Sequence, residues 1–190
     1  ALWSAAACRR FLLYLKQSGS KLPHSKALTR GVRYAAVKIY ERYVAIGDST
    51  SEGIDDPDGQ GGYRGWANRL AERIAARQGH LLYANLAIRG RTTRQILDEQ
   101  LAPALAMRPD LSTVVAGTND VLRRRFEPEV FGADLELMQK SLVDIGATVL
   151  TFTLPDLAPV MPFARVLGNR VMVLNDAIRA ACAKSGAILC

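Results

Sequence analysis

Short apolar runs alternate with amphipathic stretches from about residue 42 to the end of the 190-residue sequence. The apolar runs are rich in β-branched and aromatic residues, which is typical of buried strands. Strands and helices that alternate in this way predict a parallel sheet with helices on both faces. Five strands are predicted, over residues 43–46, 81–86, 111–116, 147–153 and 187–190, the last one at the chain end.

Between the strands, apolar residues recur three and four positions apart, which predicts helices with one buried face each. These helices are predicted over about 65–78, 128–145 and 167–184, with one more beginning at Thr92. Their predicted buried residues are Trp66, Ala67, Leu70, Ala71 and Ile74; Phe131, Leu135, Met138, Leu142 and Ile145; and Leu174, Ile178 and Cys182.

The helix that begins at Thr92 has a clear start signal, because Thr92 and Gln95 have the spacing of a capping box. Proline cannot continue the hydrogen bonds of a helix, so Pro103 predicts a bend or an early end. The inner face of this helix is predicted to consist of leucines, at positions 97, 101 and 105.

The order of elements predicts an α/β protein, a three-layer α/β/α sandwich with a flavodoxin-like five-stranded parallel sheet in the order 2-1-3-4-5. Crossover connections in such folds are right-handed, so the loops that follow the strands lie at one edge of the sheet. The loops after the second, first and third strands are neighbours there, and they carry Gly90, Ser49 and Asn119. Ligands of open α/β sheets bind at this edge, so we expect a functional site where these three residues meet.

Ser49 follows directly after the first strand, in the segment Gly47-Asp-Ser49. A serine hydroxyl becomes a good nucleophile when a base takes its proton, and acyl transfer also needs donors for the developing oxyanion. The backbone N–H groups of Ser49 and Gly90 and the side-chain amide of Asn119 could supply those donors. Asp48 and Asp120 are predicted to hold their turns together, as Asp side chains commonly do.

Three segments, Gly47-Asp-Ser49, Asn85-Leu-Ala-Ile-Arg-Gly90 and Gly117-Thr-Asn-Asp120, resemble the first three signature blocks of the SGNH (GDSL-type) hydrolase family. The resemblance covers roughly residues 42–190 and implies the SGNH hydrolase fold. It also implies hydrolysis of small-molecule esters without metal or cofactor, through an acyl-enzyme on Ser49. Gly90 and Asn119 would then complete the oxyanion hole with the Ser49 amide.

The last block of that family, an Asp followed three residues later by the catalytic His, lies just beyond the fifth strand, where this sequence stops. His80 falls immediately before the second strand, at the sheet edge opposite Ser49, and His24 lies in the N-terminal leader. We therefore expect a domain that is incomplete at its C-terminus, with an assembled oxyanion hole and little or no esterase activity. Loss of a catalytic base can cost on the order of 10⁶ in turnover.

Two other functions fit the same crevice. A flavodoxin-like binding module could cradle a nucleotide or phosphate with the backbone of residues 47–53. Against it, Asp48 and Glu52 would repel phosphate, and no Lys follows as in a P-loop. The third possibility is a protein of this fold that has lost catalysis and serves as a structural or interaction domain.

The net charge of +7 belongs to the N-terminal part, because nine Lys/Arg face one acid in residues 1–42. That leaves 16 of 25 basic and 17 of 18 acidic residues for 43–190, so we divide the chain into a basic leader (1–41) and a domain (42–190). We expect no specific nucleic-acid binding, since no interleaved aromatic residues suggest base stacking. No apolar run approaches the roughly 20 residues of a membrane span.

Three cysteines, Cys8, Cys182 and Cys190, form no spaced cluster with the histidines, so no zinc site is expected. A sparse, odd cysteine count fits a reducing compartment, and without a convincing signal peptide a cytoplasmic location is expected.

Four further positions near the predicted site have ordinary structural explanations. Arg89 and Arg91 flank Gly90 and are expected to face solvent, although contact with an anionic substrate is the alternative. Tyr63 and Trp66 could line an acyl pocket, but core packing is the preferred interpretation for Trp66. The run of arginines at 123–125 is expected to be a solvated helix end.

Overall fold

Five parallel strands form a single sheet in the order β2-β1-β3-β4-β5, as predicted. The structure is a computed structural model and describes residues 38–155 and 164–190. Cys8, His24 and most of the predicted leader lie outside the described residues. The strands are β1 (Arg42–Gly47), β2 (Leu82–Asn85), β3 (Leu111–Val115), β4 (Thr148–Thr151) and β5 (Ile188–Leu189).

The helices include all those predicted and two single-turn helices that were not. The helices are α1 (Ser49–Glu52), α2 (Trp66–Gln78), α3 (Thr93–Ala106), α4 (Thr118–Val121), α5 (Pro128–Asp144) and α6 (Ala164–Ser185). The short helices α1 and α4 directly follow β1 and β3, at the edge where the functional site was predicted. Among the described helices, none is both long and apolar enough to cross a membrane.

Successive side chains of the central strand enter two separate cores. Val44 and Ile46 pack with α3, α5 and α6 on one face of the sheet, while Tyr43 and Ala45 pack with α2 on the other. Trp66 is buried in the second core and meets Phe152 edge-to-face, which confirms its predicted packing role. The predicted three-layer sandwich is therefore confirmed, with one described long helix on one face and three on the other.

The end of the predicted leader lies against this second core. Tyr40 is buried there, and the backbone N–H groups of Glu41 and Arg42 donate to the carboxylate of Asp110 at 2.8 and 2.9 Å. Tyr40 and the backbone of Glu41 therefore contact the domain, although both lie in the range that we assigned to the leader.

The predicted buried face of α3 is confirmed in part. Leu101 is buried as predicted, Leu97 and Leu105 are only partly buried against the core, and Ile96, Gln100 and Ala104 are fully enclosed. The pattern counted leucines, but a polar residue lies at the centre of the face because its amide bonds to the backbone of β1. The capping box at the start of this helix is confirmed, and the helix continues past its internal proline to Ala106.

The prediction that Ile145 belongs to the buried face of α5 is wrong. Ile145 lies just past the last residue of the helix and is 46% exposed. The other predicted buried residues of α2, α5 and α6 are all buried.

Candidate active site

Ser49 is the first residue of α1, at the carboxyl end of the central strand. The carboxylate of Asp48 caps this helix by accepting hydrogen bonds from the Thr50 N–H at 3.0 Å and from the Thr50 hydroxyl. A Cβ added at Gly47 would lie 2.5 Å from the Val115 carbonyl oxygen, so only glycine fits at this approach of β1 to β3. The end of β1, the glycine at position 47 and the Asp48 cap together determine that α1 begins at Ser49. Asp48 holds this turn as predicted.

The turn after β2 is bonded directly to α1 and to the end of β1. The Asn85 side chain donates to the Ser51 carbonyl at 2.8 Å, and the Ile88 N–H donates to the Gly47 carbonyl at 3.2 Å. Gly90 ends this turn with a φ of 75°, a conformation that favours glycine. The structure therefore brings the Gly90 turn beside the Ser49 turn.

Glu52, at the other end of α1, gives a second connection to the same turn. Its carboxylate accepts hydrogen bonds from the Arg89 N–H at 2.7 Å and from the Arg89 guanidinium at 2.9 Å. That guanidinium lies 5.1 Å from the centre of the Tyr63 ring. Arg89 is half-exposed as predicted, but its charge is balanced by Glu52, and Arg91 is similarly paired with Glu99 at 2.6 Å.

The turn after β3 completes the site, and it is bonded to the Gly90 turn. The Asn119 side-chain amide donates to the Arg91 carbonyl at 3.0 Å. The carboxylate of Asp120 accepts from the N–H and hydroxyl of Thr93 at 3.0 and 2.9 Å, so it holds this turn against the start of α3. Asn119 and Ser49 are both partly buried, so the site is open to solvent.

The Asn119 turn also rests on two long helices. A Cβ added at Gly117 would lie 2.8 Å from Leu174 Cδ1 of α6 and 3.2 Å from Phe131 Cε2 of α5. The backbone of the turn therefore lies directly on the packed side chains of these helices.

Three N–H groups around this edge are not engaged by the described residues. The backbone N–H groups of Ser49 and Gly90 make no hydrogen bond there, and the Asn119 amide uses one N–H on Arg91 and keeps a second. The Ser49 hydroxyl likewise has no hydrogen-bond partner among the described residues. These are the donors and the hydroxyl that acyl transfer to serine requires.

Two carboxylates next to the site, the buried Asp48 and the partly buried Asp120, have raised pKa values. Burial raises the pKa of Asp48, and the nearby charge of Asp120 adds to this, while hydrogen bonds from Thr50 oppose it. Burial also raises the pKa of Asp120, opposed by its bonds from Thr93. The net effect for Asp48 is that burial disfavours its ionised form, although the Thr118 side chain also opposes this shift.

Sequence reasoning missed Gln100, Glu52 and Asn85, which tie the turns together. Asn85 lies inside a recognised segment, but its bond to the Ser51 carbonyl is a contact between distant positions. Glu52 was interpreted only as a charge that repels phosphate. Within the part of the chain that the structure describes, no three His, Cys, Asp or Glu side chains come together in a way that could hold a metal ion.

The fold and the position of these turns define the class of protein. A five-stranded parallel sheet flanked by helices is also the fold of the esterase AlinE4, an SGNH hydrolase. The two structures align with a TM-score of 0.60 at 19% identity, over 78% of this chain and 74% of that chain. The model of the GDSL-like lipase/acylhydrolase family matches residues 45–190, and the chain belongs to this family.

Two further solved structures have a similar fold. The crystal structure of TesA shares 22% identity, with a TM-score of 0.64 over 78% of this chain and 77% of that chain. The psychrotrophic esterase EstA from Pseudoalteromonas sp., in a structure inhibited by monoethylphosphonate, shares 18% identity, with a TM-score of 0.61 over 79% and 76%. At these identities the likeness shows the fold. No curated protein matches the chain.

Proposed function

We propose that the protein is a serine hydrolase of carboxylic esters in which Ser49 is the nucleophile. The Ser49 oxygen forms a bond to the acyl carbon, the bond to the alcohol oxygen breaks, and the serine proton passes through a base to the leaving alcohol. Water then attacks the acyl carbon, its proton passes through the base to the Ser49 oxygen, and the carboxylic acid is released. Membership of the GDSL-like lipase/acylhydrolase family supports ester hydrolysis as the reaction class.

The observation that carries this proposal is the linkage of the three turns around Ser49. One carbonyl, that of Gly47, joins the serine turn to the Gly90 turn, and the Asn119 amide joins the third turn to Arg91. The unengaged N–H groups of Ser49, Gly90 and Asn119 would stabilise the oxyanion. Each donor of this kind is typically worth about 10²–10³ in rate.

The base is the part of this mechanism that the described residues do not supply. His80 is exposed and lies between α2 and β2, at the amino edge of the sheet, whereas Ser49 follows the carboxyl end of β1. The polypeptide of residues 1–190 is therefore expected to acylate slowly and to show little or no turnover. If the coding sequence continues past Cys190 with an Asp-x-x-His, the longer polypeptide should be faster by up to about 10⁶.

A fluorophosphonate probe tests the nucleophile, because it reacts with the serine oxygen directly and does not require turnover. We expect the 190-residue polypeptide to be modified slowly, on the peptide that contains Ser49, as measured by mass spectrometry. Ser49→Ala should abolish this modification. Ser51→Ala is the matched control, because it removes a neighbouring hydroxyl of the same helix that has no hydrogen-bond partner among the described residues.

The rate of p-nitrophenyl acetate hydrolysis separates the nucleophile from the base. We expect hydrolysis close to the uncatalysed rate. Rapid turnover that Ser49→Ala abolishes would confirm the nucleophile and show that a base is present in the 190-residue polypeptide. Modification that persists in Ser49→Ala would refute the proposed nucleophile.

A further inference from the structure

Gln100 is a buried polar residue that the proposed mechanism does not use. It lies in the middle of α3 and is 2% exposed. Its side-chain oxygen accepts the Gly47 N–H at 2.8 Å, and its side-chain nitrogen donates to the Gly47 carbonyl at 3.0 Å. A single side chain therefore bonds both backbone groups of the residue that ends the central strand.

The backbone of Gly47 needs a side-chain partner because β1 extends further than its neighbour β2. The pairing of β1 with β2 ends at Ala45 and Asn85, while β1 continues to Gly47. The Ala45 carbonyl accepts from Leu86, so Gly47, two positions later, presents its N–H and carbonyl on the same side. There β2 has ended, and the segment that follows it bonds Gly47 only at the carbonyl, through Ile88, so the side-chain oxygen of Gln100 supplies the acceptor for the Gly47 N–H.

The Gly47 carbonyl is shared between Gln100 and the Gly90 turn. Its second donor is the Ile88 N–H at 3.2 Å. Ser49 lies two residues after Gly47, and Gly90 lies two residues after Ile88. Both backbone donors of the proposed oxyanion hole are therefore connected to this one carbonyl by two residues of chain each.

The geometry points to Gln100 as a positioning residue that sets the spacing between the Ser49 and Gly90 amides. This inference rests on the proposed function, because it assigns Gln100 a role in that oxyanion hole. The residue does not touch the substrate. It acts by holding the Gly47 backbone in a fixed orientation. The Ser49 turn follows Gly47 in the chain, and the Gly90 turn is bonded to the Gly47 carbonyl.

Gln100→Met tests this role, because methionine has a similar length and cannot make either hydrogen bond. We expect modification of Ser49 by the fluorophosphonate to slow by about tenfold or more, since a displacement of 1 Å at a catalytic group can cost on the order of 10²-fold. The loss should fall on the maximal rate of modification and leave the apparent probe affinity nearly unchanged.

Gln139→Met is the matched control for the loss of a buried amide. Gln139 is also fully buried, but it bonds to Ser185 at 2.9 Å and to Cys182 at 3.6 Å, between α5 and α6. We expect it to lower the melting temperature and to leave the modification rate within about twofold of wild type. Equal slowing by Gln100→Met and Gln139→Met would overturn the inference, because general loosening would then explain it.

Gln100→Glu provides a test that depends on pH and keeps the shape of the side chain. A protonated carboxyl can both donate to and accept from Gly47, whereas a carboxylate cannot donate. The modification rate of Gln100→Glu relative to wild type should therefore be higher at pH 5 than at pH 8. A ratio that does not change with pH would count against the inference.

Backbone amide resonances of Ser49 and Gly90 give a readout that needs no reaction. Gln100→Met should shift both resonances in a ¹⁵N–¹H correlation spectrum, and Gln139→Met should shift neither. If neither amide moves in Gln100→Met, the inference is wrong. If Ser49→Ala is modified as fast as wild type, the proposed function fails instead, and the two failures are thereby distinguished.

Discussion

Alanine substitutions at Gly47 and Gly90 should differ in their cost to stability. Gly90 has a φ of 75°, and an added Cβ would meet nothing within 4 Å. Its substitution therefore introduces only the strain of a left-handed backbone, roughly 1–2 kcal/mol. For a chain of this size, that corresponds to a melting temperature lower by about 2–8 °C.

At Gly47 the added Cβ has no room. It would lie 2.5 Å from the Val115 carbonyl oxygen and 2.7 Å from Ser51 Oγ. One contact is with the backbone of a neighbouring strand, so β1 and β3 would have to separate at the point where the serine turn begins. Overpacking of this kind costs about 1–3 kcal/mol or more. We therefore expect Gly47→Ala to lower the melting temperature at least as much as Gly90→Ala, and to disturb Ser49 directly.

Thermal unfolding followed by circular dichroism measures both variants. Gly59→Ala is the matched control for Gly90, because it has a φ of 80° and an added Cβ there also meets nothing within 4 Å. Gly59→Ala and Gly90→Ala should have similar melting temperatures, but only Gly90→Ala should slow the modification of Ser49. A Gly47→Ala protein more stable than Gly90→Ala would refute the steric argument.

Two further predictions concern acidity and ligand choice. Burial raises the pKa of Asp48 above its ordinary value, so the folded chain holds this proton more tightly than the unfolded chain. The contribution of Asp48 to the free energy of unfolding should therefore fall as the pH rises from about 4 through the raised pKa. Asp48→Asn should accordingly gain in melting temperature relative to the wild type over that interval, and a difference independent of pH would contradict this. Isothermal titration with FMN should show no binding, because no Lys follows residues 47–53 as in a P-loop and Arg89 is already paired with Glu52. Micromolar affinity would instead support the flavodoxin-like alternative.

The periodic elements of this fold could be predicted from the sequence because their apolar residues repeat. The parallel sheet followed from the alternation of strands and helices, and the flavodoxin-like strand order that we adopted for it placed Ser49, Gly90 and Asn119 at one edge. The helices α1 and α4 were missed because a single turn is too short to show a period. Asp48 was a usable signal for α1, since it is a good N-cap residue that directly precedes the helix.

The connections between the turns could not be predicted from local pattern. Gln100 lies four positions after Ile96 and four before Ala104, so a helical face centred on these residues would have included it. A polar side chain scores as exposed in such a pattern, and its burial depends on Gly47, 53 residues away in sequence. The bond between Glu52 and Arg89 likewise joins distant positions whose proximity only the fold determines.

The support beneath Gly117 has a consequence for how the chain can tolerate change. Leu174 and Phe131 are ordinary core residues by burial, yet their side chains contact the backbone that leads into the Asn119 turn. A substitution that brings α5 and α6 closer together would move these side chains, and the turn with them, without altering any residue at the edge of the sheet. The position of the Asn119 turn relative to the sheet thus depends on how α5 and α6 pack, so substitutions in that layer are expected to shift the turn while the residues of the three turns stay the same.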